Sequence, residues 1–366
     1  MHIITKHMDM QAFYKGKKVL ITGHTGFKGS WLAQILLTFG ADVVGFSLLP
    51  EGEQNLFNIL KLGDKVDTYF GDIREFGTLQ DLLQRVQPEI VFHLAAQALV
   101  MRSYADPLET FSSNVMGTAN ILEAVKACPS VKSVVIVTTD KVYENKEWVH
   151  PYRENDPLGG YDPYSASKGA ADIVANSYIQ SFFNPKDYGT KHNTLVSIVR
   201  AGNVIGGGDW APNRLVPDIM RSVHERNEPV TIRSPHAIRP WEHVMEPLAG
   251  YLMLGEGLYN GRKDFSGAWN FGPSSDSFIT VGNLVTEAVR ILGRGEVDIQ
   301  AIEGVHEAQI LRLDITKATV VLGWRPRFDL QQNLDHTFEW YKRYYAKSED
   351  MQEFTNKQIK DYFELE

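Results

Sequence analysis

Cysteine and long apolar runs are nearly missing from this chain. Its 366 residues include one cysteine, Cys128, which excludes an internal disulfide, and its place at a predicted helix end indicates packing. No stretch is long and uncharged enough to span a bilayer, and residues 1–18 lack the apolar run of a signal peptide. We therefore expect a cytoplasmic protein with no membrane partner.

The chain also lacks an excess of basic charge. Its formal net charge is −8, which argues against a broad nucleic-acid surface and leaves room for a local basic pocket that binds a diphosphate. His24, His93 and His243 share no close spacing and no cysteine or carboxylate partners, so no metal site is predicted. Because 43% of the residues are hydrophobic, the chain can bury a sizeable core.

Strands and helices alternate over the first part of the chain, as a parallel sheet requires. Helices are predicted from about Gly26 to Phe39, between the third and fourth strands, over about Pro107 to Ala127, and over Asp162 to Asn184. The predicted strands are Lys18–Thr22, Asp42–Leu48, Val66–Phe70, Glu89–Leu94, Ser133–Val137 and Leu195–Val199. The pattern predicts an α/β fold with a doubly wound parallel Rossmann sheet.

Two domains are predicted. Residues 1–202 form the nucleotide-binding Rossmann domain, and residues 203–366 form mainly a smaller mixed C-terminal lobe for the substrate. The lobe is not expected to be contiguous, because a segment near 240–272 is predicted to return to the first domain, with Ala268–Phe271 as a strand.

A glycine turn follows the first strand directly. Its spacing is GxxGxxG, where glycines permit a tight turn, close approach of the backbone to a pyrophosphate, and strand–helix packing. The cofactor-binding candidates here are Gly23, Thr25, Gly26, Phe27, Lys28 and Gly29. After the third strand, Asp72 is expected to accept from an adenine amine and Ile73 to cover the ring. After the fourth strand, the candidates beside the nicotinamide ribose are His93, Ala95, Ala96 and Gln97.

The end of the second strand bears on the choice of cofactor. Ser47-Leu48-Leu49-Pro50 offers no acidic residue for the adenosine ribose, so this part of the usual NAD signature is absent. No arginine or lysine follows until Lys61, which disfavours a 2′-phosphate. We therefore predict NAD rather than NADP.

An acid and a Tyr-xxx-Lys pair carry the predicted chemistry. Tyr164 and Lys168 are four residues apart, so on a helix they share one face. An ammonium nearby should lower the pKa of the phenol and make Tyr164 a usable base near neutrality. Thr139 and Asp140 precede them, and this combination suits an enzyme that oxidises a sugar and then eliminates water.

These motifs together resemble the extended short-chain dehydrogenase/reductase family over about Lys17 to Phe328. Within that family the chain resembles the sugar-nucleotide dehydratases that act on CDP-D-glucose. The segments that carry this closer resemblance are Gly23–Trp31, Thr139–Asn145, Gly159–Ser165 and Arg239–Val244.

The resemblance implies conversion of CDP-D-glucose into CDP-4-dehydro-6-deoxy-D-glucose and water, an early step toward 3,6-dideoxyhexoses of surface polysaccharides such as the O-antigen of lipopolysaccharide. It implies that Tyr164 removes the C4 hydroxyl proton, Thr139 holds that hydroxyl, Lys168 holds ribose hydroxyls, and Asp140 protonates the leaving C6 hydroxyl. It adds Asn114 and Thr138 to the residues expected near a permanently bound NAD.

The base that takes the C5 proton is left open. In the related dTDP-glucose dehydratases a glutamate follows this aspartate and acts as the base, whereas this chain has Lys141. Lys141 either takes the proton itself, if burial lowers its pKa, or stays charged and stabilises the enolate. Direct participation is favoured, and Glu144 is interpreted as a solvated loop carboxylate.

A nucleoside diphosphate sugar needs cationic and amide partners. Arg214, Arg239 and Arg312 are the cationic candidates. The family places substrate contacts at Asn203, in the segment after Gly206, at Arg239 and near Arg312. The resemblance also implies a homodimer in which the helices near Asn114 and Tyr164 form a four-helix interface.

Other functions stay open on the sequence alone. A 4-epimerase, or a dehydratase for dTDP- or UDP-sugars, would share Tyr164, Lys168 and NAD, although epimerisation needs no acid for a C6 hydroxyl. A non-catalytic NAD-binding regulator is a different class, and the intact Thr139, Tyr164 and Lys168 count against it.

Overall fold

The computed structural model describes residues 9–232, 234–274, 277–299 and 311–365. Its strands are β1 (Lys18–Thr22), β2 (Asp42–Ser47), β3 (Asp67–Phe70), β4 (Ile90–His93), β5 (Ser133–Val137), β6 (Leu195–Ala201), β7 (Asn203–Ile205), β8 (Val230–Ile232), β9 (Ile238–His243), β10 (Gly267–Phe271), β11 (Phe278–Thr280) and β12 (Val297–Ile299).

The α-helices alternate with these strands in the first half of the chain. In the second half they lie between strands, and the last two follow β12. They are α1 (Met10–Tyr14), α2 (Phe27–Thr38), α3 (Leu56–Ile59), α4 (Phe76–Val86), α5 (Val100–Ala105), α6 (Pro107–Phe111), α7 (Gly117–Lys126), α8 (Pro163–Ser181), α9 (Leu215–Met220), α10 (Met245–Tyr259), α11 (Val281–Leu292), α12 (Leu330–Ala346) and α13 (Met351–Phe363). No helix in the described ranges is long and apolar enough to cross a membrane.

Seven of the described strands form one sheet in the order β10-β6-β5-β4-β1-β2-β3, and every pair in it is parallel. The order runs outward from β1 in both directions, which is the doubly wound arrangement. Smaller sheets join β11, β9 and β7, and β12 with β8. The predicted Rossmann sheet with a smaller mixed lobe is confirmed.

Helices cover both faces of the large sheet, which explains why its central strands are apolar throughout. Alternate residues of β1 enter different cores: Val19 and Ile21 pack in the cluster that contains Trp31 of α2 and Leu248 of α10. Leu20 packs in the cluster built on α4, α7 and α8. The two-residue period of a strand thus sorts one short sequence onto two layers.

One predicted helix is interrupted. The segment expected to run from Pro107 to Ala127 consists of α6, a π-helical turn over Ser112–Met116, and α7. Turns of this kind frequently occur at functional sites. Here the turn contains Asn114, a predicted cofactor residue. The predicted absence of a signal peptide rests partly on residues 1–8, which lie outside the described residues.

Candidate active site

The glycine turn joins β1 to α2 and leaves open space at one of its glycines. A Cβ added to Gly29 would lie 2.0 Å from the carbonyl oxygen of Gly23, and one added to Gly23 would lie 2.7 Å from the backbone nitrogen of Ala95. These two positions therefore require glycine. A Cβ on Gly26 would meet only the Gly23 oxygen, at 3.4 Å, so the start of α2 is open to a ligand. Unpaired amides at a helix start suit a diphosphate.

Side chains beside this turn fix its geometry. Thr25 Oγ1 lies 2.7 Å from Ser47 Oγ and donates to the carbonyl oxygen of Leu48 at 3.1 Å. Phe27 is half-buried, and its ring packs within 3.2 Å of a Cβ placed on Gly206. The turn is thus fastened both to the end of β2 and to the segment after β7.

The predicted adenine residues follow β3. The guanidinium of Arg74 already binds the Asp72 carboxylate, with Arg74 Nε 3.0 Å from Oδ1 and 2.9 Å from Oδ2. Hydrogen bonds from Arg74 lower the pKa of Asp72, so the carboxylate is ionised and able to accept. Ile73 is buried and faces Gly117, where an added Cβ would lie 2.8 Å from Ile73 Cγ2.

The residues after β4 are held by an amide network. Asn114 accepts from the backbone nitrogen of Gln97 at 2.8 Å and donates to the backbone oxygen of Gln97 at 3.0 Å. Its Nδ2 also donates to Ser167 Oγ of α8 at 2.8 Å. His93 Nδ1 lies 2.7 Å from Thr22 Oγ1, and Ala95 and Ala96 are half-buried beside it. Asn114 therefore joins the predicted nicotinamide segment to the helix that carries Tyr164.

The catalytic candidates come from three adjacent positions at the carboxyl end of β5 and from α8. Thr139 caps a short 3₁₀ turn over Asp140–Val142 and donates from Oγ1 to Asp140 Oδ1 at 2.9 Å. Asp162 caps α8 by accepting from the backbone nitrogen of Ser165 at 2.9 Å, with Pro163 in the first turn. The Thr139 hydroxyl and the charge of Asp140 both act on the pKa of Tyr164. The structure thus brings Thr139, Asp140 and Tyr164 together.

The electrostatics of Tyr164 differ from the sequence prediction. Burial raises the pKa of Tyr164 to about 12, and the groups that oppose this are Thr139, by its hydrogen bond, and Arg214, by its charge. Lys168 instead donates from Nζ to the backbone oxygen of Val137 at 2.7 Å. The prediction that the Lys168 ammonium lowers the pKa of Tyr164 toward neutrality was wrong in direction, because desolvation of the phenol, which the sequence did not reveal, outweighs the groups that favour the phenolate.

Asp140 must be protonated for its predicted role as an acid, whereas Tyr164 must lose its proton to act as a base. Burial raises the pKa of Asp140, while Lys141, the Thr139 hydrogen bond, Arg239 and Lys28 lower it. A raised pKa favours the protonated carboxyl that an acid catalyst needs. The Lys141 ammonium lies 6.0 Å from the ring centroid of Tyr164, so it faces both groups.

Two lysines near the glycine turn have lowered pKa values. Burial lowers the pKa of Lys28 to about 8, opposed by the charge of Glu242. Burial, and then the charge of Lys28, lower the pKa of Lys168 to about 8, while Asp172 raises it. Thr138 lies beside Asp172, to which its Oγ1 donates at 3.4 Å.

The predicted substrate residues surround this cluster. Arg214 Nη1 donates to Asp209 Oδ2 at 3.0 Å, and its charge acts on Tyr164. Asn203 opens β7 and pairs with Trp241 of β9. Arg239 of β9 pairs with Ile279 of β11 in the same small sheet.

Arg312 belongs to the same side of the lobe. Its guanidinium lies 4.8 Å from the ring centroid of Phe278, and Phe278 pairs with Pro240, the residue after Arg239. The structure thus brings Arg312 to the sheet that carries Arg239, whereas Arg214 approaches the cluster from the start of α9.

Sequence reasoning missed two acidic residues of the site. Asp209 holds Arg214, and Glu242 is fully buried on β9, where neither carboxylate oxygen has a hydrogen-bond partner among the described residues. Burial raises the pKa of Glu242 to about 8, opposed by the charge of Lys28. The available signal was the place of Glu242 in the Arg239–Val244 segment, one of those that carry the resemblance to the sugar-nucleotide dehydratases. Among the described residues no group of three His, Cys, Asp or Glu side chains could hold a metal.

This chain is similar to known proteins along nearly their whole length. The CDP-glucose 4,6-dehydratase of Salmonella typhimurium is 48% identical over 351 residues, which cover 96% of this chain and 97% of that protein. The CDP-paratose 2-epimerase of Salmonella typhi is 28% identical and covers 88% of this chain and 98% of its own.

Solved structures agree with these relatives. DesIV, a dTDP-glucose 4,6-dehydratase from Streptomyces venezuelae with NAD and TYD bound, has a TM-score of 0.75 and 26% identity, covering 91% of this chain and 99% of that one. The predicted resemblance to sugar-nucleotide dehydratases is thereby confirmed. The sequence model described as GDP-mannose 4,6 dehydratase matches residues 20–337, and the chain belongs to that family.

Proposed function

We propose that this protein catalyses the NAD-dependent dehydration of CDP-D-glucose to CDP-4-dehydro-6-deoxy-D-glucose and water. It is thus a hydro-lyase without net redox change. The observation that carries the proposal is the juxtaposition of Tyr164 with Asp140, which is hydrogen-bonded to Thr139: one of the two titratable groups can serve as a base and the other as an acid. The choice of CDP-glucose is supported by the relative that is 48% identical.

The residues at the glycine turn fit NAD. The open space at Gly26 and the start of α2 suit its diphosphate, and the half-buried Ala95 and Ala96 leave room for a ribose. Bound NAD supplies reversible hydride acceptance, first from C4 of the sugar and then back to C6. Lys168, Asn114 and Thr138 hold the ribose side of the site, and Asp72 and Ile73 hold the adenine side.

Tyr164 is the proposed base for oxidation at C4. It takes the proton of the C4 hydroxyl while Thr139 holds that hydroxyl, and C4 becomes a ketone. A pKa of about 12 makes the phenolate scarce at neutral pH, so positive charge must assist. Arg214 supplies such charge, and Lys168 lies one helical turn away on the same face of α8.

Asp140 and Lys141 are the proposed pair for the loss of water. The C4 ketone acidifies the C5 proton, Lys141 removes it, and Asp140 protonates the C6 hydroxyl as it leaves. The burial that raises the pKa of Asp140 keeps its proton available. A K141R variant tests the base: it keeps the charge, so elimination should be lost if Lys141 moves the proton and retained if Lys141 acts by charge alone.

The substrate diphosphate is assigned to Arg214, Arg239 and Arg312, with Asn203 beside the sugar. Asn203 lies on β7 and Arg239 on β9. Arg214 lies at the start of α9, and Arg312 stacks on Phe278 of β11. We place these four residues at the edge where strands of the sheet end. Residues 1–202, with the return segment near 240–272, form the proposed NAD domain, and residues 203–366 form mainly the substrate lobe. The return is supported by the pairing of β10 with β6.

A homodimer built through α6, α7 and α8 is part of the proposal. Apolar side chains are exposed in the single chain on these helices, at Leu108 and Ile173, and directly beside them, at Met116 before α7 and Phe182 after α8. Such a face suits a four-helix contact between two copies. A cytoplasmic location is supported by Cys128, whose thiol is buried and forms no disulfide. The product is proposed to lead toward 3,6-dideoxyhexoses.

The decisive experiment compares sugar nucleotides. Purified protein is incubated with NAD and separately with CDP-, dTDP- and UDP-glucose, while product mass and the alkaline absorbance of a 4-keto sugar are followed. Loss of one water from CDP-glucose alone is expected. Loss from another nucleotide would keep the mechanism and change the substrate, and no loss from any of them would favour an epimerase or a regulator.

A further inference from the structure

The segment of residues 206–214, between β7 and α9, is fastened to two helices. A Cβ added to Gly207 would lie 2.1 Å from Cγ of Trp340 in α12, so the backbone packs directly on that indole. The indole nitrogen of Trp31 in α2 donates to the carbonyl oxygen of Gly207 at 2.9 Å. The ring centroid of Trp210 lies 5.0 Å from that of Tyr344 in α12. The position of the segment is therefore set by α2 and α12.

Tyr341 of α12 fixes one residue of this segment, Asp209, at both of its backbone polar atoms. Tyr341 Oη donates to the carbonyl oxygen of Asp209 at 2.6 Å and accepts from the backbone nitrogen of Asp209 at 3.0 Å. One hydroxyl can make both bonds, because it has a proton to donate and lone pairs to accept with. Both residues are buried. The place of Asp209 is thus determined by a side chain 132 positions later in the chain.

The side chain of Asp209 is fixed as well. Its Oδ1 accepts from the backbone nitrogen of Ala211 at 3.0 Å, and its Oδ2 accepts from Arg214 Nη1 at 3.0 Å. Each carboxylate oxygen therefore has a partner of its own. With the backbone held by Tyr341 and both oxygens engaged, the carboxylate has little freedom to turn.

The contact with Asp209 uses one end of the Arg214 guanidinium. Among the described residues, neither Nε nor Nη2 of Arg214 has a hydrogen-bond partner. These two nitrogens form one edge of the planar group, and such an edge suits two parallel bonds to a phosphate. We propose that Asp209, anchored by Tyr341, is a positioning residue that orients Arg214 so that this edge faces the diphosphate of the sugar nucleotide.

The exposure of the pair favours orientation over competition with the ligand. The Asp209 side chain is 8% exposed, whereas that of Arg214 is 36% exposed. A ligand that enters the site therefore meets the cation, and the negative charge lies behind it. Because both carboxylate oxygens are already engaged, Asp209 holds the guanidinium from the protein side.

The test measures the binding of CDP and of cytidine to the full-length protein, with NAD present throughout. The two ligands differ by the diphosphate, so the ratio of their affinities isolates the contacts made to it. Calorimetry measures CDP, and an NMR titration measures the weaker nucleoside. D209N keeps an oxygen for the Ala211 amide and loses the acceptor for Arg214. CDP should therefore bind about tenfold more weakly, and cytidine binding should not change.

Two variants of α12 test the anchor. Y341F removes the hydroxyl that holds Asp209 and should weaken CDP binding in the same direction. Y344F is the matched control, because the Tyr344 ring packs on Trp210 but its hydroxyl has no hydrogen-bond partner among the described residues. Neither ligand should bind differently to Y344F.

R214M and D209N/R214M complete a double-mutant cycle. If Asp209 acts through Arg214, R214M should weaken CDP binding at least as much as D209N does, and adding D209N to R214M should cause no further loss. Further loss in the double variant, or an equal loss of cytidine binding in D209N, would indicate a merely structural role and overturn the proposal. Tighter CDP binding by D209N would also overturn it, since Asp209 would then compete with the diphosphate. If Y341F does not fold, D209N and the cycle decide, because D209N retains the backbone atoms that Tyr341 binds.

The inference rests on the proposed function, so dTDP and UDP are tested beside CDP, each with its nucleoside. If the wild type prefers one of these, the substrate assignment fails, and the variants are compared with that pair of ligands. If the wild type binds no nucleoside diphosphate more tightly than its nucleoside, the positioning role is overturned.

Discussion

Asp140→Asn should separate the two halves of the reaction. Asparagine keeps an oxygen that can accept the 2.9 Å hydrogen bond from Thr139, so the local geometry is preserved. It cannot donate a proton to the leaving hydroxyl. General acid catalysis contributes about 10²–10⁴-fold, which corresponds to about 3–5 kcal/mol of barrier, and elimination should slow by that factor.

Oxidation should not slow in the same variant. The charge of ionised Asp140 raises the pKa of Tyr164, so its removal makes the phenolate easier to form. Enzyme-bound NADH should therefore appear at the wild-type rate or faster and then accumulate. Stopped-flow absorbance at the NADH band follows the first step, and product mass follows the loss of water.

The matched control is Glu144→Gln. Glu144 lies four residues further along, 55% of its side chain is exposed, and it pairs with Lys146 at 3.6 Å, so neither step should change. The assignment of Asp140 as the acid is refuted if Asp140→Asn slows NADH formation and water loss equally, or if it leaves water loss at the wild-type rate.

Four further substitutions test the base, the glycine turn and the dimer. Tyr164→Phe should abolish formation of enzyme-bound NADH, and a variant that still reduces NAD on adding substrate would contradict that role. Gly29→Ala should destabilise the fold by about 3 kcal/mol, because its Cβ would lie 2.0 Å from a backbone oxygen. Gly26→Ala should fold normally and weaken NAD binding. Thermal melts measure the first effect and calorimetry the second, and equal melting temperatures of the two variants would argue against this packing. Leu108→Glu should give a folded monomer by light scattering, since 81% of Leu108 is exposed in one chain; a wild-type monomer would remove the proposed interface.

The local sequence pattern was sufficient to predict those elements whose structure is determined by neighbouring residues. The apolar run Lys18–Thr22 and the glycines after it predicted β1 and the start of α2 within a residue. Asp162 and Pro163 mark the start of α8, and so place Tyr164 and Lys168 on one face. These features depend on neighbours in the sequence.

Long-range contacts were beyond the reach of the pattern. Glu242 faces the charge of Lys28, which is far away in the sequence, and no periodicity relates the two. The direction of the Tyr164 pKa was wrong for the same reason, because desolvation depends on which segments fold over the phenol. The sequence thus predicted which groups belong to the site, while the direction of their pKa shifts depends on burial that the pattern does not contain.

The two proposed proton steps make conflicting demands on one small site. Positive charge favours the Tyr164 phenolate but opposes a protonated Asp140, while burial favours the neutral form of both. Thr139 acts on both groups, because its hydroxyl lowers the pKa of Asp140 and that of Tyr164. A hydroxyl has only one proton to donate. In the structure that proton goes to Asp140 Oδ1 at 2.9 Å, so turning the hydroxyl away from Asp140 would favour the protonated acid and free Thr139 to hold the phenolate or the C4 hydroxyl.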